Sequence, residues 1–152
     1  MSIEPSVSVQ SGRIDIAAVT AELALSGDVG GVVTFAGYCR SEDGKLAALE
    51  LEHYPGMAEK EIGRIAKQAA ERWPLLAAKV IHRYGKIAPG EEIVLVACAS
   101  AHRAAAFEAA EFLMDFLKSR APFWKREHLI DGTVGGWVEA KHEDDTALER
   151  WR

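Results

Sequence analysis

The chain has 152 residues, 49% of them hydrophobic and 27% charged, with a formal net charge of -5. That length and balance suit one globular domain with a substantial core, and exclude a fibrous, disordered or disulfide-scaffolded chain. The acidic balance argues against nucleic acid as the main partner, and no apolar run approaches the ~20 residues that span a bilayer, so no membrane partner is expected and any basic site must be local.

Met1 to Ser6 has neither a basic nor an apolar leader segment, which predicts a cytoplasmic protein. Val7–Gln10 reads as a short edge strand. Ile14–Leu25 reads as a first helix with Ile16, Val19 and Leu23 on one face, closed by Ser26-Gly27-Asp28. Gly30 and Gly31 then lead into Val32–Ala36, a β-branched strand; glycines placed before a strand do not make a dinucleotide fingerprint. Arg40 opens the polar loop Ser41–Lys45, at a strand end where functional side chains are common; its bland alternative is an exposed pair with Glu42 or Asp43.

Leu46–Tyr54 resumes as a strand, Pro55-Gly56 breaks the chain, and Met57–Trp73 has the spacing of an amphipathic helix with Ile62, Ile65, Ala66, Ala69 and Trp73 inward. Lys79–Tyr84 is a predicted strand whose His82 reads as a half-buried structural histidine outside any site. Pro89-Gly90 signals a turn, and Ile93–Ala99, the most apolar run, predicts a central strand. Cys98 within it reads as a small core residue; neither it nor Cys39 has the spacing of a disulfide framework or a metal site. Beyond the long helix described next, His128–Gly136 reads as a glycine-rich connection, Trp137–Ala140 as a short strand and Lys141–Arg152 as a charged tail. The mixture of strand pairs and helices predicts a single α+β domain over residues 1–152.

The segment Ser100–Glu127 organises the chain. Ser100 suits a helix N-cap, and Phe107, Ala110, Met114 and Leu117 recur at helical spacing, with Phe112, Leu113 and Phe116 widening the apolar face until Pro122 stops the helix at Ala121. His102 and Arg103 fall in its first turn, where cations oppose the helix dipole; Arg103 either reaches into solvent or meets a bound anion. Lys118, Arg120, Lys125 and Arg126 put four cations into nine residues at the other end. Lys118 and Arg120 suit a helix C-terminus, whereas Lys125 and Arg126, beyond Pro122 and beside Phe123 and Trp124, either line a cleft or form a solvated charge run.

These residues carry a resemblance. Ser-Ala-His-Arg at 100–103, Phe-Glu-Ala at 107–109 and Met-Asp-Phe-Leu-Lys-Ser-Arg-Ala-Pro-Phe-Trp-Lys-Arg-Glu at 114–127 closely resemble the MoaE family, the large catalytic subunits of molybdopterin synthases. Gly30–Arg40, Leu51–Met57 and Val80–Gly85 extend the likeness, which runs from about Gly30 to Trp151. The resemblance implies an α/β hammerhead-like fold with a small additional antiparallel β subdomain, no cofactor of its own, and a homodimer of large subunits within a heterotetramer. It implies a sulfurtransferase that converts cyclic pyranopterin monophosphate (precursor Z) to molybdopterin in molybdenum cofactor biosynthesis. The sulfur donor is the C-terminal Gly-Gly thiocarboxylate of a small ubiquitin-like subunit.

Such chemistry needs cations for a phosphate, a slot for a glycine tail and acid/base groups beside the attacked carbons. On the resemblance, Lys118 is the principal catalytic group, its basicity lowered by neighbouring cations and partial burial, with Lys125 stabilising developing negative charge. Arg40, His102 and Arg103 are the phosphate ligands, Tyr38, Cys39, Arg126 and Glu127 match the substrate-binding segments, and Phe35 and Met114 line the pterin pocket. Cys39 as a sulfur carrier ranks below the partner's thiocarboxylate, because it needs a lowered thiol pKa. Arg103 and Lys118 are fifteen residues apart on one helix, or ~22 Å along its axis, so one small substrate meets both only if a symmetric dimer brings His102 and Arg103 of one subunit to the Lys118 of the other. A non-catalytic subunit that binds a phosphorylated metabolite, or an interaction module presenting Phe123 and Trp124, remains the alternative.

Overall fold

The structure is a computed structural model that describes residues 3–120, 122–138 and 148–151. The elements run β1 (Ser6–Gln10), α1 (Ile16–Leu23), β2 (Gly31–Tyr38), β3 (Leu46–His53), α2 (Met57–Arg72), β4 (Leu75–Arg83), β5 (Gly85–Ile87), β6 (Glu92–Ser100), α3 (Arg103–Ser119) and β7 (Phe123–Leu129), with a short 3-10 turn at Leu148–Trp151. Four strands form a large sheet in the order β1-β4-β6-β2, and three form a small sheet in the order β5-β3-β7. Among the described residues only β1 and β4 run parallel; every other strand pair is antiparallel. The result is the expected α+β architecture, with the small antiparallel sheet as its accessory layer.

The apolar run in β6 places it between the helix layers. Successive side chains alternate between faces, so Val94, Val96 and Cys98 pack with α2 and α3 while Leu95, Ala97 and Ala99 pack with Val19 and Leu23 of α1. Helix α3 lays Ala106, Ala109, Ala110, Phe112, Leu113 and Leu117 into the core. Phe107, expected on that face, is 59% exposed, because at 100° per residue it lies a quarter-turn or more from the stripe centred on Ala110 and Leu113. Trp151 closes the open end of this core, edge-on to Trp73 and Phe112 at 5.7 and 5.6 Å.

Several expected boundaries shift. Ser100 is the last residue of β6, and its hydroxyl donates to the Pro74 carbonyl at 3.0 Å; the N-cap of α3 is His102. Strand pairing, which extends chains beyond their own propensity, begins β4 four residues before the expected Lys79 and creates β5 and β7 where a turn and a charge run were expected. Of the expected strand at Trp137–Ala140, Val138 makes a two-bond bridge to Lys125, while Glu139 and Ala140 lie outside the described residues, as do Ala121 and most of the tail.

Two details hold the site's frame. Gly30 donates to the Ser100 carbonyl at 2.9 Å, and a Cβ there would stand 2.0 Å from the Ala101 carbonyl oxygen, so only glycine lets β2 start beneath the α3 entrance. At the opposite end, buried Glu92 accepts from Arg13 Nε at 2.7 Å, Arg13 Nη2 at 3.1 Å and the Ile14 backbone N–H at 3.0 Å. Buried Arg83 donates to the carbonyls of Ser11 and Glu92 and to Glu91, so it is structural.

The Arg13 guanidinium, before all else, holds the Glu92 carboxyl down at about 2. Its folded-state pKa lies below the unfolded value of 4.5, so its stabilisation is present above that value and disappears as pH falls towards 2. Glu92→Gln is expected to cost about 2 kcal/mol at neutral pH and to flatten the acid limb of stability between pH 4.5 and 2, read from urea midpoints. An unchanged acid limb would show that Glu92 carries none of it.

Candidate functional site

A cleft opens between the end of β2, the C-terminal turn of α3 and the small sheet. It has two adjoining lobes of about 420 and 380 Å³ that share Tyr38, Arg40, Lys118 and Lys125 in their walls. Each of these side chains is delivered by a different local cause. Cys39 donates its N–H to the Glu91 carbonyl at 2.9 Å and accepts from Gly90 at 2.8 Å, which fixes where Arg40 leaves β2. Leu113 and Leu117 bury the last turns of α3 and so present Lys118 at its rim, where the carbonyl end of the helix favours a cation. Pairing of β7 with β3 sets Lys125 opposite Leu51, and the Val138 bridge holds its backbone from the other side.

The first lobe is walled mainly by apolar side chains, among them Phe35, Leu51, Ile93, Met114, Leu117 and Phe123. The second is polar, with Glu42, Arg126 and Glu127 beside the shared cations. Arg126 is held in a built position: its Nε donates to Glu50 Oε1 at 2.9 Å, His128 Nε2 lies 2.7 Å from the same oxygen, and its guanidinium stacks 4.3 Å from the centre of the Trp137 ring. These contacts, His128 first, hold the Glu50 carboxyl below the usual carboxylate range. Glu50 and His128 were invisible as a pair in the sequence, since only the β3–β7 register brings residues 78 apart together.

Nine of the eleven expected site residues line this cleft. His102 and Arg103 do not: both are exposed at the opposite end of α3, as the helix length requires. Arg40 is exposed and lies 3.4 Å from Glu42, the surface pair of the bland expectation, and its side chain also lines both lobes. Lys118 is exposed in the single subunit, which corrects the expectation of partial burial: α3 ends at Ser119, and the side chain lies beyond the covered stripe. Of the expected aromatic pair, Phe123 faces the cleft while Trp124 packs edge-on to Tyr54 at 5.3 Å. His82, set aside on sequence grounds, lines the first lobe. Among the described residues no His, Cys, Asp and Glu side chains cluster as a metal site, and no helix is long and apolar enough to cross a membrane.

Cys39 is buried, and burial pushes its thiol up, away from the thiolate that sulfur carriage needs. Cys39→Ser is therefore expected to retain activity within about threefold of wild type in sulfur-transfer turnover. A near-complete loss would make the thiol chemically necessary.

The arrangement offers an apolar slot for a flat ring, a polar lobe with cations for phosphate or carboxylate, and two lysines where the lobes meet. Residues 9–120 match the family model described as MoaE protein. A molybdopterin synthase catalytic subunit from Mesorhizobium japonicum is 64% identical over 151 residues, covering 99% of this chain and 95% of its own length. Its counterpart from Brucella melitensis is 63% identical and covers 96% of this chain and 90% of its own. Among solved structures, a molybdopterin biosynthesis MoaE protein from Burkholderia ambifaria superposes with a TM-score of 0.84 at 42% identity, covering 97% of each chain. Molybdopterin synthase from Staphylococcus aureus gives 0.76 at 30% identity, over 85% of this chain and 96% of that one.

Proposed function

Because the chain belongs to the MoaE family and is a molybdopterin synthase catalytic subunit acting in molybdopterin cofactor biosynthesis, we propose that its two-lobed cleft is where sulfur enters the pterin substrate. The observation that carries this reading is the position of Lys118 and Lys125 in the walls common to both lobes, between an apolar ring slot and a polar lobe. Precursor Z places its ring in the first lobe against Phe35 and Met114. Arg40 takes the phosphate with His102 and Arg103 of a second large subunit, and Tyr38, Arg126 and Glu127 complete the polar wall.

The sulfur arrives as the thiocarboxylate of a small subunit's Gly-Gly tail, a partner in keeping with the relatives' designation as one subunit of an enzyme. Each transfer forms a carbon–sulfur bond on the pterin in place of a carbon–oxygen bond, whose oxygen leaves as water or with the phosphate, and breaks the acyl carbon–sulfur bond, the acyl carbon ending as a carboxylate with an oxygen from water. Lys125 stabilises the oxyanion of that acyl group. Lys118, where the two lobes meet, supplies the amine that acts as base or acyl acceptor. The cytoplasm, where thiols stay reduced, suits this chemistry.

The test is a single turnover with purified chain, precursor Z and thiocarboxylated small subunit. Dithiolene formation stoichiometric with the thiocarboxylate consumed is the expected result. Absence of product with a competent donor would leave a subunit that binds a phosphorylated pterin without transforming it.

A further inference from the structure

Among the described residues, His82 is the one ring nitrogen bearer in the wall of the first lobe, and nothing in the scheme above uses it. It is the penultimate residue of β4, fixed between Val9 of β1 and Val94 of β6, so its backbone sits in the middle of the large sheet. Phe123 stacks on the imidazole with centroids 3.9 Å apart and planes 15° from parallel. Nδ1 lies 2.9 Å from the Arg83 carbonyl oxygen. A carbonyl only accepts, so Nδ1 carries the hydrogen and donates it. Burial, with a further push from the Lys118 and His53 charges, takes the ring down to about 4, so at neutral pH it holds no second proton. Nε2 is then a bare acceptor on a ring whose plane and tautomer are both set.

A neutral acceptor has no use for a phosphate, whose oxygens also accept. It suits a ligand N–H, and a reduced pterin carries several along its rim. We propose that His82 is a substrate-binding residue of the first lobe, its Nε2 accepting a hydrogen bond from an N–H group of the pterin ring and so fixing which edge of the ring enters the slot. This rests on the pterin reading of the cleft. It also separates the ends of the substrate: the ring lies against His82 and Phe123, and the phosphate lies away from them, on the cationic side.

The experiment measures precursor Z binding by calorimetry and dithiolene formation in parallel for wild type, His82→Phe and His82→Gln. Phenylalanine keeps an aromatic face for Phe123 and removes the acceptor; glutamine restores an acceptor oxygen near the place of Nε2. Binding about tenfold weaker in His82→Phe, recovered to within about threefold in His82→Gln, is expected, because an unmatched N–H in the slot keeps its desolvation cost. Wild-type affinity in His82→Phe, or equal weakening in both variants, overturns the role. A wild type that neither binds nor converts precursor Z removes the pterin reading itself, whereas a wild type that does both beside an unaffected His82→Phe removes only this inference. Where a variant does not fold, ¹⁵N NMR of the wild type decides: the His82 Nε2 resonance moves upfield on saturation with precursor Z if its lone pair is taken, and a stationary resonance overturns the proposal.

Discussion

Lys118→Ala is expected to lower single-turnover dithiolene formation by about 10²- to 10⁴-fold while precursor Z affinity, measured separately, changes by less than about tenfold. The asymmetry follows from position. Lys118 stands in the wall shared by both lobes, where ring slot and polar lobe meet, while Arg40, Lys125 and Arg126 remain to bind the anion. Lys118→Arg separates two ways of using the residue: guanidinium keeps the charge but is not deprotonated in proteins, so an amine that acts as base or acyl acceptor is not replaced by it. Arginine activity near wild type would reduce Lys118 to an electrostatic role, and parallel losses of binding and turnover in Lys118→Ala would favour a non-catalytic binding subunit.

What the sequence made readable, and what it hid, divides along local and non-local causes. The α3 stripe, the apolar β6 and the amphipathic α2 follow from periodicity, which acts within one element. The strand β7 does not: Phe-Trp-Lys-Arg-Glu-His-Leu looks like a charge run, and only pairing with β3 extends it. The cations at 118, 125 and 126 were conspicuous in an acidic chain, yet whether they shared a cleft depended on that pairing. His82 shows the same limit in reverse. One buried histidine in a strand is most often structural, and its Nδ1 bond to Arg83 fits that description; its place in the lobe wall comes from Phe123, which arrives from β7 some forty residues later.

The remaining large effect concerns the two ends of α3. His102 and Arg103 lie outside both lobes, while Lys118 lines both, and the helix between them is a single unbroken element from Arg103 to Ser119. If one phosphorylated substrate needs both ends, each site draws His102 and Arg103 from the neighbouring subunit of a symmetric dimer. Lys118→Ala and the double variant His102→Ala/Arg103→Ala are then each inactive alone, yet a mixed dimer of the two has one complete site and one doubly damaged site. Random re-association of equal amounts yields mixed dimers in about half the population, and therefore about a quarter of wild-type turnover. Sites completed within one chain give no recovery at any mixing ratio, because every subunit then carries its own defect. Mixing followed by turnover, with subunit exchange verified by mass spectrometry, reads the difference directly: recovery near a quarter supports shared sites, and its absence after verified exchange removes them.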